Sequence, residues 1–225
     1  MTPRPVRVPV TLPTGETEVS GLWADVPGAD ATVALAHGAG AGMTHPFLEG
    51  FASALSDSGI AVLRFVFPYV EAGRRMPGPV AHAVATWVGV QGWLESEGVG
   101  HFVAVGKSYG GRMASVAAAE GTVTPLALAY LGYPLHAPGR PDKPRAEHLP
   151  RIAVPQLFVE GENDPFIAPR EQFDDVVATC HDARVHWIEG ADHSFAVKGK
   201  RRPAEEIGAG LAGVVGEFVR GLPVC

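Results

Sequence analysis

Apolar residues fall in short runs along this chain, and the spacing within each run predicts its element. Residues 6–10 form a short β-branched run, and residues 17–24 form a second strand-like run. Pro13-Thr14-Gly15 supplies the turn between them, so the pair reads as an antiparallel hairpin at a sheet edge. Residues 31–36 (ATVALA) are a short run, apolar but for Thr32, that fits a strand buried on both faces. A helix is predicted over 46–58, with Phe47, Phe51, Ala54 and Leu55 on one side. Pro46 suits its first position and Gly59 its end. Further strands are predicted at 60–65, 101–105, 126–131, 154–159 and 184–188, with helices at 80–97, 108–120, 169–179 and 204–220. Strands alternating with helices at this spacing imply a mostly parallel sheet with helices on both faces. No linker or internal repeat interrupts the pattern, so 1–225 reads as one α/β domain, and no segment is long enough for a lid domain. Two irregular segments, 66–79 and the proline-rich 132–150, are the candidates to cover a site.

Composition narrows the partners. Hydrophobic residues make up 46% and charged residues 19%, the balance of a globular chain. The net charge of −6 argues against a nucleic-acid partner. The one basic cluster, Lys198, Lys200, Arg201 and Arg202, reads as a solvated loop. No apolar run reaches the roughly 18 residues of a membrane span, and Pro3, Pro5 and Pro9 break up the start where a signal peptide would need an apolar core. Cys180 and Cys225 form neither a C-x-x-C motif nor a disulfide framework. The expectation is a cytoplasmic protein acting on a small molecule, without membrane or nucleic-acid partners. The sequence leaves its oligomeric state open.

The chemistry centres on Gly106-Lys107-Ser108-Tyr109-Gly110, a G-x-S-x-G pattern between the apolar strand HFVAV and an Ala-rich helix. Strand, tight turn and helix in that order form a nucleophile elbow, which holds a serine hydroxyl exposed above the sheet. A phosphate-binding loop is excluded, because His101 stands where that motif requires its first glycine. Serine needs a base, and the base needs an acid to hold its tautomer. His193 follows the strand ARVHWI in the loop EGADHSF and is the candidate base; His181 and His186 fall before or within that strand. Asp164 follows the strand VPQLFV in the turn EGENDP and is the candidate acid, with Glu160 and Glu162 as competitors; Asp192 is adjacent to His193 in the chain and poorly placed to orient it. Ser108, Asp164 and His193 thus follow the Ser…Asp…His chain order of one particular hydrolase topology. An oxyanion needs two backbone N–H donors. The candidates are Tyr109, after the nucleophile, and Ala39 in the loop HGAGAG, with Gly38 second. His37 either contacts substrate or braces that loop by hydrogen bonding.

These motifs resemble those of the α/β-hydrolases: HGAGA, GKSYGG, the Asp164 turn and GADHSF fall where that superfamily places them, over nearly the whole chain. More narrowly, RFVFPYVEAGRR, GKSYGGRMAS, LGYPLHAPGRPDKPRAEHL and LFVEGENDPF resemble small lidless predicted hydrolases related to dienelactone hydrolases. The hydrolase-like domain of a mammalian histone-acetyltransferase complex subunit belongs to the same group. Dienelactone hydrolases proper use cysteine where this chain has Ser108. The resemblance implies nucleophile, acid and base at Ser108, Asp164 and His193, and no metal or organic cofactor. The expected activity is hydrolysis of a small to medium carboxylic ester or thioester through an acyl-enzyme. The alternatives are a triad enzyme for amide or carbon–carbon bonds, and a non-catalytic binding protein that kept the fold. Phe67, Tyr69 and Tyr109 are candidates to line a shallow cleft. Arg74, Arg75 and Arg112 either brace loops or meet an anionic group on the substrate, and Lys107 stands beside the nucleophile.

Overall fold

The computed structural model describes residues 2–223; Cys225 lies outside them. Eight strands form one sheet in the order β1-β2-β4-β3-β5-β6-β7-β8. β1 (Arg4–Leu12) and β2 (Gly15–Ala24) make the expected hairpin, antiparallel in register Val8 to Val19. β2 meets β4 (Ile60–Phe65) antiparallel, and from there every pairing is parallel: β4 with β3 (Ala31–Ala36), then β5 (Val103–Lys107), β6 (Ala127–Leu131), β7 (Gln156–Gly161) and β8 (Ala183–Ile188).

The two faces of this sheet bury separate cores, because successive side chains of a strand point opposite ways. Val33, Leu35, Val103, Val105, Leu157 and Val159 pack beneath α1 (Pro46–Asp57) and α6 (Ala204–Arg220). Ala34, Ala36, Ala104, Leu128 and Phe158 face α3 (Val80–Ser96), α4 (Tyr109–Ala119) and α5 (Arg170–Ala178). The strands β3 to β7 are buried on both sides, which explains their mostly apolar runs; β1, at the edge, alternates exposed and buried positions. α1 and α6 cross closely where Gly50 and Gly208 leave no side chain between the backbones.

Several boundaries differ from the pattern. Segment 66–79 holds one helical turn, α2 (Pro68–Glu71), opened by a proline at its first position. β5 starts at Val103, leaving His101 exposed before it, and runs to Lys107. β7 starts at Gln156, since Pro155 has no N–H to give the ladder. Segment 132–150 ends in a short 3₁₀ turn at Leu149–Arg151. No lid domain is inserted among the described residues, and none of their helices is long and apolar enough to cross a membrane.

Candidate active site

The parallel strands deliver six loops to one edge of the sheet, where their C-terminal ends lie, and the candidate residues collect there. Ser108 ends the β5 turn with φ 49° and ψ −115°, a left-handed conformation costly for a residue with a side chain. Packing holds it there. A side chain on Gly110 would stand 2.5 Å from the His37 carbonyl oxygen, and one on Gly111 would stand 2.6 Å from that of Gly106. These glycines let α4 start almost in contact with β3 and β5, so the chain must turn sharply at Ser108. The Ser108 amide donates to the Leu131 carbonyl at 3.1 Å, fixing the turn against β6.

Asp164 and His193 are joined through their loops before their side chains meet. Glu162 accepts from the Gly190 amide at 3.0 Å, and Asn163 Nδ2 donates to the Gly190 carbonyl at 3.0 Å. Asp192 braces the next turn by accepting from the amides of Ser194 and Ala196. The competitors for acid and base thus have other uses, and His186 is exposed on β8. Asp164 Oδ2 lies 2.5 Å from His193 Nδ1, and His193 Nε2 lies 2.9 Å from Ser108 Oγ. The Asp164 side chain is fully buried, and its second oxygen accepts from the Phe166 amide at 2.7 Å. With Asp164 accepting at Nδ1–H, Nε2 is left free to take the serine proton. Burial lowers the His193 pKa below its ordinary value, against the opposing pull of Asp164, so the ring stands ready as a neutral base.

Two side chains, Phe166 and Lys107, support His193, and neither contact could be read from the sequence. Phe166 stacks on its ring with centroids 4.1 Å apart. Lys107 Nζ donates to the His193 carbonyl at 2.6 Å, so this side chain holds the base loop; burial pushes its pKa down to about 8. Glu160, fully buried at the end of β7, accepts from the Tyr133 amide at 2.6 Å and is pushed toward its neutral form by burial. Each depends on a contact between loops distant in sequence.

Ser108 opens on a cavity of about 800 Å³. Gly38, Ala39, Tyr109, Arg112, Phe166 and His193 line it, with Met76 and Pro77 from segment 66–79 and Pro134 and Arg145 from segment 132–150. Among the described residues, the amides of Ala39, Gly38 and Tyr109 donate to no protein acceptor. Several expected contacts lie elsewhere. His37 is buried, with its Nε2 accepting from the Phe67 amide at 3.2 Å and its Nδ1 2.8 Å from the Gly38 carbonyl; it braces the loop. Phe67 and Tyr69 are also buried, packed edge-on against Tyr109, so only Tyr109 of the three reaches the cavity wall. Arg74 and Arg75 are exposed and do not line it, because the turn that ends α2 carries them outward while Met76 and Pro77 fold back. A second cleft, about 620 Å³ between the ends of β1 and α3, is lined by no serine, histidine or cysteine.

A hydrogen-bonded Ser-His-Asp relay, borne on a nucleophile elbow and opening on a cavity, defines a serine hydrolase of the α/β-hydrolase fold. A family model for the alpha/beta hydrolase domain matches residues 29–211, and the chain belongs to that family. Among solved structures, it is 25% identical to a dienelactone hydrolase from Anabaena variabilis, with a TM-score of 0.76 over 99% of this chain and 100% of the other. An α/β serine hydrolase without lid from Xanthomonas campestris shares 18% identity and a TM-score of 0.70, covering 98% of this chain and 97% of its own. A Pyrococcus furiosus esterase shares 16% identity and a TM-score of 0.73, covering 97% and 90%.

Proposed function

We propose that this serine hydrolase cleaves small to medium carboxylic esters or thioesters. Ser108 Oγ attacks the carbonyl as His193 Nε2 accepts its proton, and Asp164 holds the imidazolium that forms. The oxyanion meets the amides of Tyr109 and Ala39. His193 then protonates the leaving group and the acyl-enzyme forms. Water, deprotonated by the same nitrogen, attacks that acyl-enzyme and releases the acid. The observation that carries this reading is the Asp164–His193–Ser108 relay beside amides with no protein acceptor. A cavity of about 800 Å³ walled by loops favours acyl groups of modest length over long lipid chains. The net charge of −6 favours a dissolved small molecule over nucleic acid, and two cysteines in 225 residues favour a reducing, cytoplasmic setting.

The test is covalent labelling by a fluorophosphonate, with turnover of p-nitrophenyl esters of increasing chain length alongside matched amides and a carbon–carbon substrate. Labelling lost in Ser108→Ala and a maximum at short to medium esters are expected. A folded wild-type protein that neither labels nor turns over any substrate would favour the non-catalytic binding protein. Preference for the amide or the carbon–carbon substrate would keep the triad and replace the ester.

A further inference from the structure

Among the described residues, no side chain neutralises the two guanidinium groups that line the cavity at Ser108. Arg112 lies on α4 four residues after Ser108, and its amide donates to the Ser108 carbonyl at 3.1 Å. The side chains of Ser108 and Arg112 both line the cavity. Arg112 is mostly enclosed, and its Nε is buried without a hydrogen-bond partner. Arg145 arrives from segment 132–150 on a backbone anchored at both ends. Its amide donates to the Leu135 carbonyl at 2.7 Å, and its carbonyl accepts from the Tyr133 hydroxyl at 2.8 Å. Both arginines line the same cavity as Ser108, Tyr109 and His193.

Among the described residues, neither guanidinium forms an ion pair. The contrast with Arg64 is informative. That buried guanidinium, on β4, donates to the Met43 carbonyl at 2.7 Å and meets Glu49 at 3.5 Å. Arg112 has no such partner; burial lowers its pKa, and repulsion from Arg145 in the same cavity adds to this against the opposing pull of Tyr133 and Tyr109. A buried charged donor left unpaired destabilises the fold, and such groups persist where a ligand completes them.

We propose that Arg112 and Arg145 form an anion subsite of the reaction cavity, selecting esters that carry an acidic oxygen group, carboxylate or phosphate, a few bonds from the scissile carbonyl. This rests on the ester-hydrolase reading above and adds the substrate's charge. Guanidinium groups match such oxygens in pairs, which a single ammonium does not. Ser108 and both arginines line one cavity, so a short hemiester such as a succinate or glutarate suits the subsite. Arg74 and Arg75, exposed and outside the cavity lining, take no part.

The experiment measures kcat/KM for p-nitrophenyl hemiglutarate, its neutral methyl ester and a phosphate-bearing counterpart. The proteins are the wild type, Arg112→Gln, Arg112→Lys and Arg145→Gln. The reading is the anionic-to-neutral ratio within each protein, which cancels any general loss of activity. The wild type should favour an anion by about tenfold or more, the size of a charge-assisted hydrogen bond. The ratio should fall toward one in each Gln variant and partly survive in Arg112→Lys, and the anion preferred names the group. Should Arg112→Gln misfold, the exposed Arg145 carries the same test. Brisk hydrolysis with equal ratios in all proteins would overturn the subsite and leave the esterase standing. Failure of the wild type on all three esters, without fluorophosphonate labelling, would overturn the esterase reading itself.

Discussion

Gly110→Ala tests whether close approach at the elbow sets both stability and catalysis. The added Cβ would stand 2.5 Å from the His37 carbonyl oxygen, 2.8 Å from Ala36 Cβ and 3.0 Å from the Ala36 carbonyl carbon, where ordinary contact begins at 3.4 Å. Backbone must therefore move by nearly 1 Å. Overpacking of this kind costs about 1–3 kcal/mol, and a rigid backbone obstacle puts it near the upper end. The helix gains up to about 1 kcal/mol from replacing glycine, so the net loss is about 2 kcal/mol. At about 2–4 °C per kcal/mol for a chain this long, Tm should fall by about 4–8 °C. The same movement separates α4, which carries Tyr109, from the loop that carries Ala39. A misplacement of about 1 Å costs on the order of 10²-fold in rate, and kcat for a short p-nitrophenyl ester should fall by that much. Gly213→Ala is the control: that glycine lies within α6 with nothing within 4 Å of the added atom. It should stabilise by about 0.4–1 kcal/mol and leave kcat alone. Thermal melts and initial rates of both variants decide the matter. A Gly110→Ala protein that melts with the wild type and keeps its kcat would refute the steric reasoning.

Asp164→Asn should lower kcat on the order of 10⁴-fold through loss of the correct tautomer, whereas Glu162→Gln, which weakens only a loop contact to Gly190, should cost far less; the reverse ranking would mean that the acid is misassigned. His193 is a base only when neutral, and burial lowers its pKa, so kcat/KM should rise with pH at a midpoint below the ordinary value of about 6.5 and then stay level; a midpoint above neutrality would contradict this. Lys107→Met removes the donor that holds the His193 carbonyl, and kcat should fall on the order of tenfold with KM little changed; wild-type kinetics would show that the base loop holds itself.

Periodicity and turn chemistry were enough to read most of the architecture. Runs such as ATVALA, apolar but for Thr32, occur where both faces of a strand are covered, and β3 is covered on both faces. The elbow was legible because Gly106, Gly110 and Gly111 sit where any side chain would strike backbone, a constraint local enough to leave a motif. Asp164 and His193 were legible as polar residues in loops just after apolar strands, the place where a parallel sheet delivers side chains to one edge. Tertiary structure alone decided which residues reach the cavity. His37, Phe67 and Tyr69 share a sequence neighbourhood with the site, yet their rings turn inward to support Tyr109 and the Gly38 loop. Arg74 and Arg75 point away, while Arg145, more than thirty residues beyond the nucleophile, comes back beside Arg112. Lys107 and Phe166 acquire their partner only when β5, β7 and β8 lie in one sheet. Local rules act over a few residues and leave their mark in the sequence. Contacts between loops depend on strand order and on how each turn directs its side chains, and no short window of the chain contains that information.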